Sequence, residues 1–332
     1  MANCNKHFDT YNGEIRLTDA RRKSLKSSRK EIRNRIRNWF KDNKPKEIQP
    51  KFGGQGSMSM DTIINPIPRK ILEGDVEKTK LYYDVDDGVY FIGNDNKKDR
   101  NTPATYHNWV YQAVDGHTDS DPIDKNTCVR TVFADGHHID NPIYYKQGDV
   151  PELAHKRDDY IFSDPQEFSK WFNDQADANP QLRRLVRYIK GWRDNREFLN
   201  SGKKMPSGLI LTILATENFV YRENRDDISL KETLVTIQSK LQLEFACYRP
   251  TTPKGEDLLA GYTQKDYFMK CLSDFIDDAK KALQEKNYRK ATQFWRTHLS
   301  TRFPLGEDAE DDSNASAGLR SVIPSSTRPY AE

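Results

Sequence analysis

Cysteine is scarce in this chain. The four present, Cys4, Cys128, Cys247 and Cys271, are scattered and form no CxxC pair. That excludes a disulfide framework, argues against a cysteine zinc site, and fits a reducing compartment. No apolar run approaches the length needed to cross a bilayer. No secretory signal pattern opens the sequence, and no internal repeat is present. An excess of charge of one sign is also missing. Lys and Arg total 53 against 50 Asp and Glu, a formal net charge of +3, so charge alone does not imply a nucleic-acid partner. The resulting expectation is a cytoplasmic protein with no membrane partner and no clear nucleic-acid partner.

What the chain does have is enough apolar material to fold. Of its 332 residues, 35% are hydrophobic and 11% aromatic, and this length predicts two lobes rather than one core. After a short polar start, Thr18 caps a long helix to about Asp42, with Leu25, Ile32, Ile36, Trp39 and Phe40 recurring on one face. Arg and Lys crowd the rest of that helix. Acids such as Asp19 and Glu31 are interspersed and no aromatics join the basic face, so it reads as a solvated surface. The stretch from Met60 to Lys80, with Asn65-Pro66-Ile67-Pro68 and Gly74-Asp75, reads as a long irregular connection, and Gly93 to Arg100 as a polar loop. Cys128 to Phe133 is a strand, Asp135-Gly136 a hairpin turn, and a second strand runs through Asp140 to Tyr145. His137 and His138 face opposite ways on that strand and read as structural.

Beyond Asp164 the pattern is helical. Asp164-Pro165-Gln166-Glu167 combines an N-cap acid, a proline at N1 and Glu at N3. Asn179-Pro180 starts another helix, and Pro206-Ser207-Gly208 opens a third that is apolar nearly all round and therefore central. Ser229-Leu230-Lys231-Glu232 reads as a capping box for a fourth, and Thr263 to Asn287 as a fifth. From Gly306 the composition turns acidic and small, as in a disordered tail.

Three segments carry chemistry. Gly53-Gly54-Gln55-Gly56-Ser57 is a glycine-rich turn with a serine at its exit; taken alone it is an ordinary tight turn. In Tyr83-Asp84-Val85-Asp86-Asp87-Gly88-Val89-Tyr90 the alternation of a strand sends Asp84 and Asp86 to one face and Asp87 to the other. His138-Ile139-Asp140 supplies a third acid, which a neighbouring strand could bring beside the first two. Three carboxylates on one face repel each other unless a cation sits between them. Hard divalent ions such as Mg²⁺ take carboxylate oxygens together with substrate phosphates, and a pair of them suits in-line displacement at phosphorus. The glycine turn adds backbone N–H groups and the Ser57 hydroxyl for a polyphosphate. The combination points to nucleotidyl transfer.

A Gly-Ser turn, an h-Asp-h-Asp strand and a third Asp strand, in that order, resemble the polymerase-β-like nucleotidyltransferase superfamily. The wording around Gln55-Gly56-Ser57, Asp84-Val85-Asp86-Asp87-Gly88 and His138-Ile139-Asp140-x-Pro142 is similar to the cGAS/DncV-like nucleotidyltransferases of bacterial CBASS anti-phage systems. The similarity extends through Ser163-Asp164-Pro165 with Trp171, Lys190-Gly191-Trp192-Arg193-Asp194 and Pro206-Ser207-Gly208, roughly Lys51 to Phe219. The resemblance implies an α/β (α+β) fold: a nucleotidyltransferase core with a mixed sheet and a long N-terminal helix over 1–160, a helical lobe closing over the nucleotides over 161–304, and a flexible tail over 305–332.

By the same resemblance, Asp84, Asp86 and Asp140 are the catalytic acids and hold two Mg²⁺ ions, which Mn²⁺ can replace. Gln55, Gly56, Ser57, Lys190 and Ser207 hold the donor triphosphate. The implied substrates are ATP and GTP or other NTPs. The implied product is a cyclic oligonucleotide second messenger, a cyclic dinucleotide such as a cyclic GMP-AMP, formed with release of pyrophosphate through a linear intermediate. It also implies a conjugating or regulatory partner acting on the tail, although the terminal Glu332 is not the small residue expected there. The three acids would equally serve an enzyme that makes linear products or modifies RNA or protein. An inactive nucleotide-binding protein is the remaining reading, and a third acid in the cluster argues against it.

Overall fold

A computed structural model describes residues 1–74, 76–93 and 100–311. The chain opens with a helix, α1 (Asn5–Ile15), where a short polar start was expected. Helix α2 (Asp19–Asn43) follows, capped by Thr18, whose hydroxyl accepts the Arg21 N–H at 3.2 Å. Leu25, Ile32, Ile36 and Phe40 are buried along its length, one helical face turned onto the sheet. The basic side chains of α2 are not simply solvated. Arg33 forks onto the fully buried carboxylate of Asp87, with Nε donating at 2.6 Å. Arg21 pairs with Asp135 at 2.7 Å, Arg22 with Asp61, and Arg35 donates to the carbonyls of Ala113 and Asp115. Arg33 and Arg37 also lie over the Phe52 ring. Much of the positive charge of α2 is therefore spent inside the molecule, which sequence periodicity alone does not reveal.

The first lobe is a mixed seven-stranded sheet. Its path runs β1 (Lys51–Gly54), β4 (Asp84–Ile92), β7 (His138–Lys146), β6 (Cys128–Val132) and β5 (Ile123–Asp124). β8 (Pro151–His155) pairs with β7, and β9 (Asp159–Phe162) with β8. β4 and β7 run parallel, and the remaining pairs are antiparallel. The chain between β4 and β7 crosses over through α4 (Pro103–Val114), which packs with α2. Along β4 the alternation is clean. Val85, Val89 and Phe91 enter the core under α2 and α4, and Asp87 shares their face.

The stretch between Met60 and Lys80 is not irregular throughout. After the four-residue helix α3 (Gly56–Ser59) it contains a hairpin, β2 (Arg69–Glu73) and β3 (Val76–Lys80). The proline cluster marks only the approach to it. Gly74, at φ +63, turns the chain, and Lys70 pairs across the strands with Glu77 at 2.8 Å.

The second lobe holds α5 (Pro165–Ala178), α6 (Gln181–Leu199), α7 (Gly208–Glu217), α8 (Asp226–Leu243), α9 (Lys265–Gln284) and α10 (Tyr288–Leu299). Asp164 caps α5 as its sequence predicts, accepting from the N–H groups of Gln166 and Glu167. α7 is central, with every residue from Ile210 to Thr216 buried. The capping box expected at Ser229 does not form. α8 already begins at Asp226, whose carboxylate is held by Arg184, Gln181 and Tyr188, and Ser229 is buried inside the helix with its hydroxyl on the Val220 carbonyl. Tertiary partners therefore start the helix a turn early. α1 joins this lobe too: Phe8 packs edge-on against Tyr188, Trp295 and Phe303. Residues 306–311 are likewise not a free tail. Gly306 N–H donates to Thr292 at 2.8 Å, Tyr288 N–H to the Ala309 carbonyl at 2.9 Å, and Asn3 N–H to Asp311 at 2.9 Å. The rest of the expected tail, 312–332, and residues 94–99 of the expected polar loop lie outside the described residues.

Asp87 makes the first lobe testable. Replacing Arg33 by Met strands a carboxylate that has 0% side-chain exposure, and the expected loss is about 3 kcal/mol in denaturant unfolding. Lys26→Met, on the exposed side of the same helix, is expected to change stability by no more than about 0.5 kcal/mol.

Candidate active site

The parallel register of β4 and β7 sets Asp84 beside His138 and Asp86 beside Asp140. All four side chains share one face, because each is two residues from the next along its strand. The floor on that face is aromatic. Tyr90 and Tyr144 stack with centroids 4.8 Å apart, and the Gln55 side chain bridges their hydroxyls at 3.3 Å on either side. Gln55 is thus buried under the site, while its backbone N–H donates to the Asp86 carbonyl at 3.3 Å. This ties the glycine turn at the end of β1 to the acidic strand. Gly56 has φ +67, and a Cβ there would collide with Oδ2 of Asp86. Glycine is required twice over, for the left-handed backbone and for the close approach.

The acids do not share one environment. Asp140 is 8% exposed, and both its oxygens are taken. Arg130 grips it as a fork, Nε to Oδ1 at 2.6 Å and Nη2 to Oδ2 at 2.8 Å, and Lys125 Nζ lies 3.3 Å from Oδ2. The same Nη2 of Arg130 also reaches Oδ1 of Asp84 at 3.0 Å, where His138 Nε2 stands at 3.0 Å as well. Partial loss of water around the Asp84 carboxyl, whose side chain is still 64% exposed, pushes it up. The hydrogen bond and charge of His138, with Arg130 and Lys125, outweigh this and hold it below the usual range. For Asp86 the pull of Arg130 and Lys125 is outweighed. Its burial, with the neighbouring charges of Asp140 and Asp84, pushes it up to about 7.

Three carboxylates offer a hard, all-oxygen donor set that suits a divalent cation. The strained charge of Asp86 is what such an ion would relieve. Among the described residues, no three His, Cys, Asp or Glu side chains form a ready-made cation site, and Arg130 Nη2 bonds both Asp84 and Asp140. The donors fit the ion chemically, and the guanidinium stands in its place.

Asp84 and Asp86 open onto a cleft of about 810 Å³ between the lobes, whereas Asp140 is not among its lining residues. Gln55, Gly56, Ser57, Asp84 and Asp86 line one wall, and Lys190, Arg193, Gly208 and Leu209 line the other. Lys190 is half-buried, its ammonium donating to Thr62 Oγ1 at 2.9 Å. Burial, with the charges of Arg193 and Arg187, lowers it to about 7. Ser207 is exposed at the start of α7 and serves as its cap, accepting from Ile210 N–H at 3.3 Å. Its neighbours Gly208 and Leu209, not Ser207 itself, are among the lining residues. The segment that contains Lys190 also joins the lobes. A Cβ on Gly191 would strike the Tyr11 hydroxyl, Trp192 is buried, and Asp194 accepts from Ile67 N–H at 2.6 Å, Arg69 at 3.0 Å and Arg302 at 3.3 Å.

Sequence reasoning brought forward the acids, the glycine turn and Lys190. It missed Arg130 and Lys125, and read His138 as structural although it contacts Asp84. The missing signal was the hairpin. A turn at Asp135-Gly136 sets Val132 opposite His138 and therefore Arg130 opposite Asp140.

The raised Asp86 predicts a pH-dependent penalty. Its folded value lies above its unfolded one, so the folded state loses stability as pH rises from about 4 through about 7, where the group is forced to ionise. Asp86→Asn is therefore expected to raise the Tm of cation-free protein at pH 8 by roughly 3 °C or more, with no gain at pH 4. Scanning calorimetry in EDTA reads it. Gly56→Ala is expected to keep the circular dichroism of the parent and to bind Mn²⁺ about tenfold more weakly, read by electron paramagnetic resonance, because Asp86 is displaced.

Residues 50–144 match the family model for the nucleotidyltransferase domain of cyclic GMP-AMP synthase DncV-like proteins. A curated relative, a cyclic GMP-AMP synthase of Escherichia albertii, is 28% identical over 187 residues, 53% of this chain. The match spans only 39% of that relative's length. The crystal structure of Vibrio cholerae DncV cyclic AMP-GMP synthase with nonhydrolyzable GTP superposes with a TM-score of 0.74 at 18% identity, covering 92% of this chain and 99% of that one. The same synthase with the linear intermediate 5′ pppA(3′,5′)pG gives a TM-score of 0.71 at 18% identity, with 92% and 99% coverage. At this identity the structural likeness speaks for the fold, and it speaks for nearly all of it. The family model matches the segment that carries the glycine turn and all three acids, so residues 50–144 are similar to the nucleotidyltransferase domain of DncV-like cyclic GMP-AMP synthases, and the whole chain shares the fold of that synthase.

Proposed function

We propose that this protein synthesises a cyclic oligonucleotide second messenger, a cyclic dinucleotide such as a cyclic GMP-AMP, from NTPs. One observation carries the reading. The parallel register puts Asp84, Asp86 and Asp140 on one face, and the first two line a cleft whose other wall bears the half-buried Lys190. A bound divalent cation, Mg²⁺ or Mn²⁺ and in this reading a pair of them, would neutralise the acids and stabilise charge on the attacking and leaving oxygens.

The chain's own residues do the rest. The Gly56 turn brings backbone close to Asp86 and leaves Ser57 at the cleft wall, suited to a triphosphate. Lys190 becomes a full charge when a phosphate approaches, since an anion restores the proton that burial disfavours. Ser207, at the mouth of α7, is within reach of the same role only if the lobes close further. An acceptor hydroxyl of one nucleotide attacks the α-phosphorus of the other, the bond to the β-phosphate oxygen breaks, and pyrophosphate leaves. The hydroxyl proton passes to a carboxylate, Asp140 in this reading. In a second transfer the remaining hydroxyl attacks the α-phosphorus of the remaining triphosphate, a second pyrophosphate leaves, and the ring closes. ATP and GTP are the proposed pair, and anti-phage signalling in the cytoplasm is the proposed setting; both are supported by the resemblance of the motifs.

Purified protein incubated with Mg²⁺ or Mn²⁺ and NTPs radiolabelled at the α-phosphate, singly and in pairs, then treated with phosphatase, tests this. A phosphatase-resistant product is expected, and it disappears in Asp84→Ala/Asp86→Ala protein. Label that stays fully phosphatase-sensitive would overturn cyclisation and favour a linear-product enzyme.

A further inference from the structure

We propose that Arg130 is a resident counter-cation that holds the carboxylate cluster closed to divalent ions until it releases Asp84. The inference rests on the reading of Asp84, Asp86 and Asp140 as a cation site.

Arg130 grips the cluster unevenly. Its fork on Asp140 has two bonds, at 2.6 and 2.8 Å, on a carboxylate with 12% side-chain exposure. Its hold on Asp84 is one bond at 3.0 Å, on a side chain that is 64% exposed. The backbone of Arg130 is fixed directly opposite Asp140 by the antiparallel pairing of β6 with β7. The Asp84 contact is therefore the one that can open. Once opened, Asp84 keeps its His138 partner at 3.0 Å and gains a free lone pair toward Asp86. None of the hydrogen bonds among the described residues ends on the Asp86 carboxylate, so a vacancy in charge is already built beside it.

A guanidinium and a divalent ion cannot share Asp84 at close range, since like charges repel steeply in a cleft of lowered dielectric. Each therefore weakens the other. What draws the guanidinium off Asp84 is a competing acceptor for its remaining N–H groups, and a phosphate oxygen is one. The consequence is coupling: a triphosphate in the cleft competes for the guanidinium, and Asp84 becomes available beside Asp86 to the ion that the transfer needs. Without nucleotide the cation affinity stays low, and the acids stay neutralised.

The test measures Mn²⁺ alone, by electron paramagnetic resonance of the free ion, against wild type, Arg130→Met, Arg130→Lys and Asp86→Asn. Arg130→Met is expected to bind Mn²⁺ about tenfold more tightly than wild type, and Arg130→Lys, which keeps the charge without the fork, to fall between them. In EDTA the Tm of Arg130→Met is expected to drop, and Mn²⁺ to raise it by more than it raises wild type. A nonhydrolysable NTP analogue is expected to tighten Mn²⁺ binding to wild type more than to Arg130→Met. If Arg130→Met does not fold, Arg130→Lys carries the comparison. Equal or weaker Mn²⁺ binding by the folded Arg130 variants, with Asp86→Asn abolishing it, overturns the inference and leaves the cation site standing. Failure of every protein to bind Mn²⁺, or undiminished binding by Asp86→Asn, overturns the cation site itself and the inference with it.

Discussion

Three like charges on one face of a sheet are the constraint to which the rest of this structure responds. The register of β4 against β7 allows no escape, since a shift by one residue would bury Asp84 and Asp86 and expose Val85 and Val89. The apolar face under α2 and α4 therefore fixes the acids in place. Their repulsion is met locally by Arg130, Lys125 and His138, and in part by leaving Asp86 able to keep its proton. A fourth acid, Asp87, is turned to the inner face and neutralised there by Arg33 of α2. One strand thus carries two kinds of carboxylate. Asp87 has a permanent partner and serves the fold, whereas Asp86 has none and serves the cleft.

The coupling of the two lobes rests on a similarly dense segment. Lys190 reaches across the cleft to Thr62, next to the glycine turn, while Asp194, one helical turn later, receives the chain of the first lobe at Ile67 and Arg69. Gly191 admits the α1 side chain Tyr11 to the same helix. The four-residue spacing of Lys190 and Asp194 puts both on the face that looks toward the first lobe. A group at the cleft wall and a group that sets the lobe contact therefore sit on one rigid helix.

Legibility in the sequence followed the range of the interactions. Elements set by their own residues could be read: Thr18 and Asp164 as caps, the alternation of β4, the buried run of α7, and the order of glycine turn and acids. What failed depended on distant partners. Ser229 looks like a helix start, but Asp226 is recruited by Arg184 and Tyr188 from α6 and extends the helix. The basic face of α2 looks solvated because Asp61, Asp87 and Asp135 are far away in sequence. The first residues of the acidic C-terminal stretch look free, yet they bond back to α10 and the N-terminus. Arg130 was the near miss, a residue whose place followed from a hairpin that the sequence did announce.

The contrast between Arg33 and Arg130 shows how one chemistry is put to two ends. Both are guanidiniums forked on an aspartate of the central strands, and both are three-quarters or more withdrawn from solvent, with side-chain exposures of 22% and 21%. Arg33 meets a carboxylate of 0% exposure that no ligand can reach, so the pair is a fixed part of the core. Arg130 extends past its buried partner to a carboxylate open to the cleft, so part of its attraction is exchangeable. Whether an ion pair is structural or responsive is decided here less by its strength than by whether its acceptor can be offered something else.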